Sequence, residues 1–185
     1  MIELKNISKC FGEKHIFEGF DIMIDDGDFI ILCGESGAGK TTLLNIIAGL
    51  EKADSGERNA PDDMRMSMVF QEDRLCAEFN AVNNVCLATE EISQDDAARE
   101  LEKLLPKDRI GRKVKDLSGG EKRRVAVVRA MMHPADIYLL DEPFLGMDAS
   151  LRGETLRYIL EKKGESALVI TAHEWNEDAG KRRYL

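Results

Sequence analysis

Apolar and polar residues alternate from Met1 to Phe29, with breaks at Gly12 and at Asp25-Asp26-Gly27, and a period of two predicts short antiparallel strands there. The pattern then changes. Phe29-Ile30-Ile31-Leu32-Cys33 is a continuous apolar run, as expected of a strand covered on both faces, and Thr42-Leu43-Leu44-Asn45-Ile46-Ile47-Ala48 reads as a helix. Glu51 to Asp63 is polar, contains Ser55-Gly56 and Pro61-Asp62-Asp63, and reads as loop. Met66-Ser67-Met68-Val69-Phe70 is strand-like, with Met64, Met66 and Met68 at strand spacing as core filler. Between Arg74 and Lys115 the periodicity is helical, with one candidate helix over Ala81 to Ala88 and another from an N-cap at Ser93 to Leu105, before Pro106. Glu121 to Met132 has helical spacing, and strand and helix alternate from Ile137 to Trp175, as in a parallel sheet covered by helices.

The gap between the first buried strand and its helix carries chemistry. Gly34-Glu35-Ser36-Gly37-Ala38-Gly39-Lys40-Thr41 fits G-x-x-x-x-G-K-[ST], a loop that wraps a polyphosphate with backbone N–H groups. Lys40 then neutralises the β- and γ-phosphates, and the Thr41 hydroxyl is offered to Mg²⁺. A second phrase, Leu117-Ser118-Gly119-Gly120-Glu121, opens the later helix with Ser118 as N-cap, and an exposed helix N-terminus binds anions. By itself such a phrase is also an ordinary cap. Ile137-Tyr138-Leu139-Leu140-Asp141-Glu142 is a buried strand that ends in two carboxylates, which in isolation also suits a solvated turn.

With these motifs in this order, the chain resembles the ATP-binding-cassette (ABC) ATPases over nearly its whole length. The resemblance implies an α/β fold: a P-loop NTPase core with a mostly parallel sheet, an N-terminal antiparallel β subdomain and a helical insertion. It implies one domain over 1–185, with the core in 1–73 and 116–185 and the helical subdomain over about 74–115. ATP and Mg²⁺ are the implied cofactors. Ser118, Gly119, Gly120 and Glu121 correspond to the signature that contacts the γ-phosphate of a nucleotide held by another subunit. Asp141 helps hold the metal with Thr41, Glu142 activates the attacking water, and Gln71 touches the metal or water and senses the membrane partner. Asp148 matches the D-loop aspartate and His173 the switch histidine near the γ-phosphate. Phe11 occupies the place of the aromatic residue that stacks on adenine, with a core phenylalanine as the other reading, and Glu35, Ser36, Gly37, Ala38 and Thr42 complete the nucleotide contacts.

The chain departs from the family pattern in places. The stretch from Lys40 to Gln71 is short, which against the family implies a trimmed β-hairpin where Glu51 to Asp63 lies; only Glu174 to Leu185 follows His173, Leu145-Gly146-Met147-Asp148 replaces the commoner Ser-Ala-Leu-Asp, and Glu121 replaces the more frequent glutamine. The short end suggests a minimal cassette or one that has lost its last strands, and the extra carboxylate suggests weaker nucleotide affinity.

Composition narrows the partners. With 35 acidic against 26 basic residues the formal charge is −9, which disfavours nucleic acid. The cysteines, Cys10, Cys33, Cys76 and Cys86, show no metal spacing and suit reduced thiols in a cytosolic protein. No signal peptide and no apolar run of membrane-spanning length is evident, so the membrane part is expected on another chain. The expected protein is the ATPase subunit of an ABC transporter. It works as an ATP-dependent head-to-tail homodimer at the inner face of the cell membrane, bound to a separate permease and, for an importer, served by a solute-binding protein. Phe70-Gln71-Glu72-Asp73-Arg74-Leu75 is similar to importer ATPases for nitrate, sulfonate and taurine, and a lipoprotein or peptide exporter is the near alternative. Glu72 to Phe79 and the following helix are expected to meet the permease. A soluble ABC switch in DNA repair or translation would be expected to show a long coiled coil, zinc cysteines or a second cassette, none of which the sequence shows. A small metabolite kinase would leave the signature and His173 without a task.

Overall fold

The computed structural model describes residues 1–88, 91–175 and 180–184. The elements are β1 (Ile2–Phe11), β2 (Lys14–Ile24), β3 (Phe29–Cys33), α1 (Lys40–Ile47), β4 (Ser55–Asn59), β5 (Met66–Val69), α2 (Ala81–Cys86), α3 (Gln94–Leu101), α4 (Lys107–Ile110), a 3₁₀ turn (Val114–Asp116), α5 (Gly119–Met132), β6 (Ile137–Leu140), α6 (Ala149–Lys163), β7 (Ala167–Ala172) and β8 (Lys181–Tyr184). Contacts divide them between two compact units. One comprises 1–66, 135–141 and 165–185, and the other comprises 67–134 and 142–164.

The first unit contains two sheets. Strands β1 and β2 form an antiparallel hairpin from Ile2↔Ile24 to Phe11↔Lys14, closed at Gly12, whose φ of 61° is easy only for glycine. Strand β4 joins the free edge of β1, with Glu3↔Asn59 through Ser8↔Ser55. This corrects the expectation of a loop over Glu51 to Asp63. All five residues of β4 are exposed, so the strand is held by backbone pairing and leaves no apolar alternation to read. The second sheet is parallel, with β6, β7, β3 and β8 as successive neighbours in this unit. A strand does follow His173: β8 pairs with β3 from Ile30↔Lys181 through Cys33↔Tyr184. Every residue of β6 and β7 is buried, the continuous apolar signature of strands covered on both faces. Because β3, β6 and β7 run parallel, their carboxyl ends at Cys33, Leu140 and Ala172 share one edge. Ligands of open α/β sheets bind at that edge.

The second unit is mainly helical. Helix α3 starts after Ser93, whose Oγ accepts from the Asp96 N–H at 3.1 Å, as expected of that N-cap. It ends at Leu101, and a further short helix, α4, follows Pro106. Helix α5 buries Val125, Ala126, Val127, Val128, Ala130 and Met131, and it also buries Arg123 and Arg124 near its start. Helices α2, α3 and α6 all pack against it. Asn84 of α2 is fully buried and ties down the preceding loop: its Oδ1 accepts from the Cys76 N–H at 2.7 Å, and its Nδ2 donates to the carbonyls of Cys76 at 3.1 Å and Asn80 at 3.0 Å. Asn84→Ala removes one side chain and strands several buried backbone groups, so it should cost about 2–3 kcal/mol in urea unfolding, with most of the loss in the midpoint.

Candidate functional site

In the first unit, the chain leaves β3 at Cys33 and re-enters regular structure at Lys40, and the turn between them is shaped by glycine. Gly37 has φ 82° and Gly39 φ 95°. A Cβ on Gly39 would also lie 2.8 Å from the Phe17 ring. Gly39 is the N-cap of α1 and contributes no side-chain cap, and the first turn of α1 contains no acidic residue. The leading N–H groups of this helix therefore have no side-chain cap from Gly39 and no acidic residue within their own turn, which suits them to phosphate oxygens. Lys40, 5% exposed, folds back over the loop, its Nζ donating to the carbonyls of Gly34 at 2.7 Å and Glu35 at 2.9 Å. The ammonium is thus held over the cradle.

Behind the loop stands Asp141, 1% exposed at the end of β6. Thr41 Oγ1 donates to its Oδ2 at 2.6 Å, and Thr171 Oγ1 donates to its Oδ1 at 2.6 Å. A hydroxyl and a carboxylate in direct contact beside a phosphate loop are the hard oxygen donors that Mg²⁺ prefers. Among the described residues no three His, Cys, Asp or Glu side chains cluster as a metal cage. Thr171 was not singled out in the sequence, although a lone hydroxyl inside the apolar strand Ala167–Ala172 was the available signal.

His173 follows β7 and is exposed. Phe11 is 51% exposed at the hairpin end of β1, which excludes the core reading. Lys9 Nζ lies 5.0 Å from its ring centroid and is fixed by Glu51 at 2.6 Å and the Lys52 carbonyl at 2.8 Å. The hydrogen bond to Glu51 raises the Lys9 ammonium above its ordinary value, against the opposing effect of burial.

The other predicted residues belong to the second unit. Ser118 caps α5 in a reciprocal box: its Oγ accepts from the Glu121 N–H at 3.3 Å, and Glu121 Oε2 accepts from the Ser118 N–H at 2.8 Å. Arg109 Nε lies 3.3 Å from Glu121 Oε1. Burial pushes the Glu121 carboxyl up, but the hydrogen bonds from Ser118 together with the charges of Arg109 and Arg124 leave the group below its usual value. The Glu121 carboxylate is thus engaged by its own helix cap. Gly119 has open space where a Cβ would project, whereas a Cβ on Gly120 would lie 2.6 Å from the Gly146 carbonyl oxygen. The glycine of the signature and the Leu145-Gly146-Met147-Asp148 turn thus abut. Asp148 caps α6, accepting from the Leu151 N–H at 2.9 Å.

Gln71 is exposed two residues beyond β5, and Glu142 is half-buried with φ 47°, an uncommon conformation for a side-chain-bearing residue. Both backbones are held by Arg123 of α5, which donates to the Glu142 carbonyl at 3.0 Å and to the Gln71 carbonyl at 3.3 Å.

A family model described as ABC transporter matches residues 17–145. The lipoprotein-releasing system ATP-binding protein LolD of Porphyromonas gingivalis is 37% identical over all of this chain and 95% of its own length. An aliphatic sulfonates import ATP-binding protein, SsuB 1 of Agrobacterium fabrum, is 37% identical over 94% of this chain, which spans only 65% of that relative. Among solved structures, an ABC transporter ATP-binding protein from Pyrococcus furiosus superposes with TM-score 0.87 at 22% identity, covering 100% of this chain and 96% of the other, a likeness of fold. An ATP-binding cassette solved as a dimer in a post-hydrolysis state with ADP and Pi superposes with TM-score 0.79 at 26% identity, covering 94% of this chain and 88% of its own. The family match reaches from β2 to the turn after Glu142, the relatives extend it over nearly the whole chain, and the loop at Gly34 to Thr41 has the required shape: the chain belongs to the ABC transporter family of ATP-binding cassettes.

Proposed function

We propose that this chain is the ATPase subunit of an importer-type ABC transporter, hydrolysing MgATP in a head-to-tail pair and driving a separate permease at the inner face of the membrane. The observation that carries the reading is the joined pair of Lys40 over its phosphate loop and Thr41 on the buried Asp141. Similarity to sulfonate import subunits supports import. The near-complete length match to the lipoprotein-releasing relative favours lipoprotein release as the second reading. The membrane protein that copurifies with the chain decides between them.

In this reading the loop N–H groups and Lys40 bind the β- and γ-phosphates, with Gly34, Glu35, Ser36, Gly37, Ala38, Gly39 and Thr42 lining them and Phe11 stacking on the adenine. Thr41, Asp141 and Gln71 would hold Mg²⁺, which when bound neutralises phosphate charge. Glu142 takes a proton from water as the water oxygen bonds to the γ-phosphorus and the bond to the bridging oxygen breaks, releasing ADP and phosphate. His173 donates to the γ-phosphate oxygens. The partner subunit's copy of the Ser118 to Glu121 phrase, with Asp148 beside it, closes the site, and two-fold symmetry makes the arrangement reciprocal.

Glu142→Gln keeps size and removes the base, so steady-state turnover should fall by about 10²- to 10⁴-fold while ATP binding persists. A rate near wild type would move the base elsewhere. Lys40→Ala, by contrast, should lose binding in a nucleotide titration because phosphate charge is left uncompensated.

Glu142→Gln with MgATP should elute as a dimer on size exclusion. Adding Ser118→Arg puts a bulky cation in the partner's phosphate position and should return the protein to monomer. An undiminished dimer in the double variant removes the signature from the interface.

Phe79 is 45% exposed and Leu75 half-buried in the segment proposed to meet the permease. Replacing both with Ser should abolish permease recovery in a pull-down while basal hydrolysis remains. Collapse of hydrolysis would assign these side chains to the core, and survival of both signals would place docking elsewhere.

A further inference from the structure

Arg123 is 2% exposed at the start of α5, and a buried guanidinium must find acceptors for its donors. One acceptor is the carboxylate of Asp73, 3.0 Å from Nη1. Charge balance requires nothing more. Yet Nη1 also donates to the Phe70 carbonyl at 2.7 Å and the Gln71 carbonyl at 3.3 Å, while Nε donates to the Glu142 carbonyl at 3.0 Å. The fork therefore grips two chain segments far apart in sequence, the turn carrying Gln71 and the turn carrying Glu142. The second of these is held at φ 47°, where a non-glycine backbone does not rest without support.

We propose that Arg123 is a positioning residue that couples the Gln71 loop to the Glu142 turn, setting both with one guanidinium so that the amide and the base act on the same water. The proposal rests on the assignment of Glu142 as the base. Its physical basis is the shape of the side chain. Nε and Nη1 are separate donors in a rigid plane, so each segment is fixed relative to the other; a lysine ammonium concentrates its donors at one point and cannot span both. Arg129, six residues further along α5, holds the same loop from behind, donating to the carbonyls of Asp73 at 2.9 Å and Arg74 at 2.8 Å. With that loop anchored twice and the Glu142 carbonyl engaged by Arg123, loss of Arg123 should release the base more than it releases the loop.

The test is steady-state hydrolysis by the full chain carrying Arg123→Gln, Arg123→Lys or Asp73→Asn, with kcat and KM for MgATP measured separately. Arg123→Gln should lower kcat by about 10- to 100-fold, the cost of a base displaced by a fraction of an ångström to an ångström, with KM within about threefold of wild type. Arg123→Lys should give a smaller loss of the same kind. Combined with Glu142→Gln, Arg123→Gln should add less than about threefold, because it acts through a base already removed. An unchanged kcat, a loss confined to KM, or a full multiplicative loss on the Glu142→Gln background overturns the proposal. If Arg123→Gln fails to fold by far-ultraviolet circular dichroism, Arg123→Lys and Asp73→Asn decide, and wild-type kcat in both overturns it. Wild-type turnover in Glu142→Gln alone overturns the base assignment and this proposal with it, and is told apart because no Arg123 variant enters that measurement.

Discussion

A carboxyl group with 1% of its surface exposed needs hydrogen-bond partners inside a protein, and the hydroxyls of Thr41 and Thr171 are among those of Asp141. Leaving such a group unpaired would cost several kcal/mol, so the position of Asp141 constrains whatever supplies the bonds. Thr41 comes from the first turn of α1 and Thr171 from β7, while Asp141 itself ends β6. One buried carboxyl group thus ties together the phosphate loop's helix and two parallel strands. The continuous apolar runs of β6 and β7 make that junction possible, because they carry the backbone to the sheet edge with nothing polar before Asp141 except Thr171 and the Tyr138 hydroxyl. The phosphate loop inherits its place from this junction.

What the amino-acid order revealed, and what it concealed, follows from where each element's stabilisation comes from. Strands β3, β6 and β7 are held by side-chain burial and announce themselves as apolar runs. Strand β4, Ser-Gly-Glu-Arg-Asn, and strand β8, Lys-Arg-Arg-Tyr, are held by hydrogen bonds to β1 and β3, and such pairing leaves no trace in the order of polar residues. The phosphate loop was readable because its geometry restricts residue type: only glycine fits where Gly39 faces Phe17 at left-handed φ. The Ser118 and Glu121 pair was half readable. Ser118 was recognised as a cap, but the answering bond from Glu121 was not, although a Ser-x-x-Glu spacing at a helix start is itself the sign of a reciprocal cap. Arg123 escaped notice because a charged residue in a helix is ordinarily solvated. Its position just before the buried run from Val125 to Val128 was the clue that this helix is surrounded on most sides.

In the second unit the irregular segments are held by arginines of α5. Arg124 donates to the Leu104 carbonyl at 2.8 Å, where the chain leaves α3, and Arg123 and Arg129 donate to carbonyls of residues 70, 71, 73 and 74. Each of these carbonyls lies outside a helix or strand ladder and needs a donor that regular structure does not provide. An arginine supplies several at once with fixed geometry, whereas a hydroxyl has one donor and an amide two. Helix α5 is thereby made the organiser of irregular segments. The helix that opens with the signature glycines is therefore also the one that fixes the loop carrying Gln71.

A net charge of −9 is an awkward setting for a polyphosphate ligand, since the summed field of the protein repels the nucleotide at a distance. Attraction must come from short range. In the first unit the phosphate loop concentrates Lys40, the uncapped N–H groups of α1 and a first turn without acidic residues within one turn of chain. Lys14 adds its ammonium at the Gly37 carbonyl, 3.3 Å away. At physiological ionic strength the Debye length is about 8 Å, so the diffuse acidic surface is screened while these contacts, partly buried and close to the ligand, are not. The acidic excess then works against indiscriminate binding of polyanions, and only an anion small enough to enter the loop experiences the opposing field.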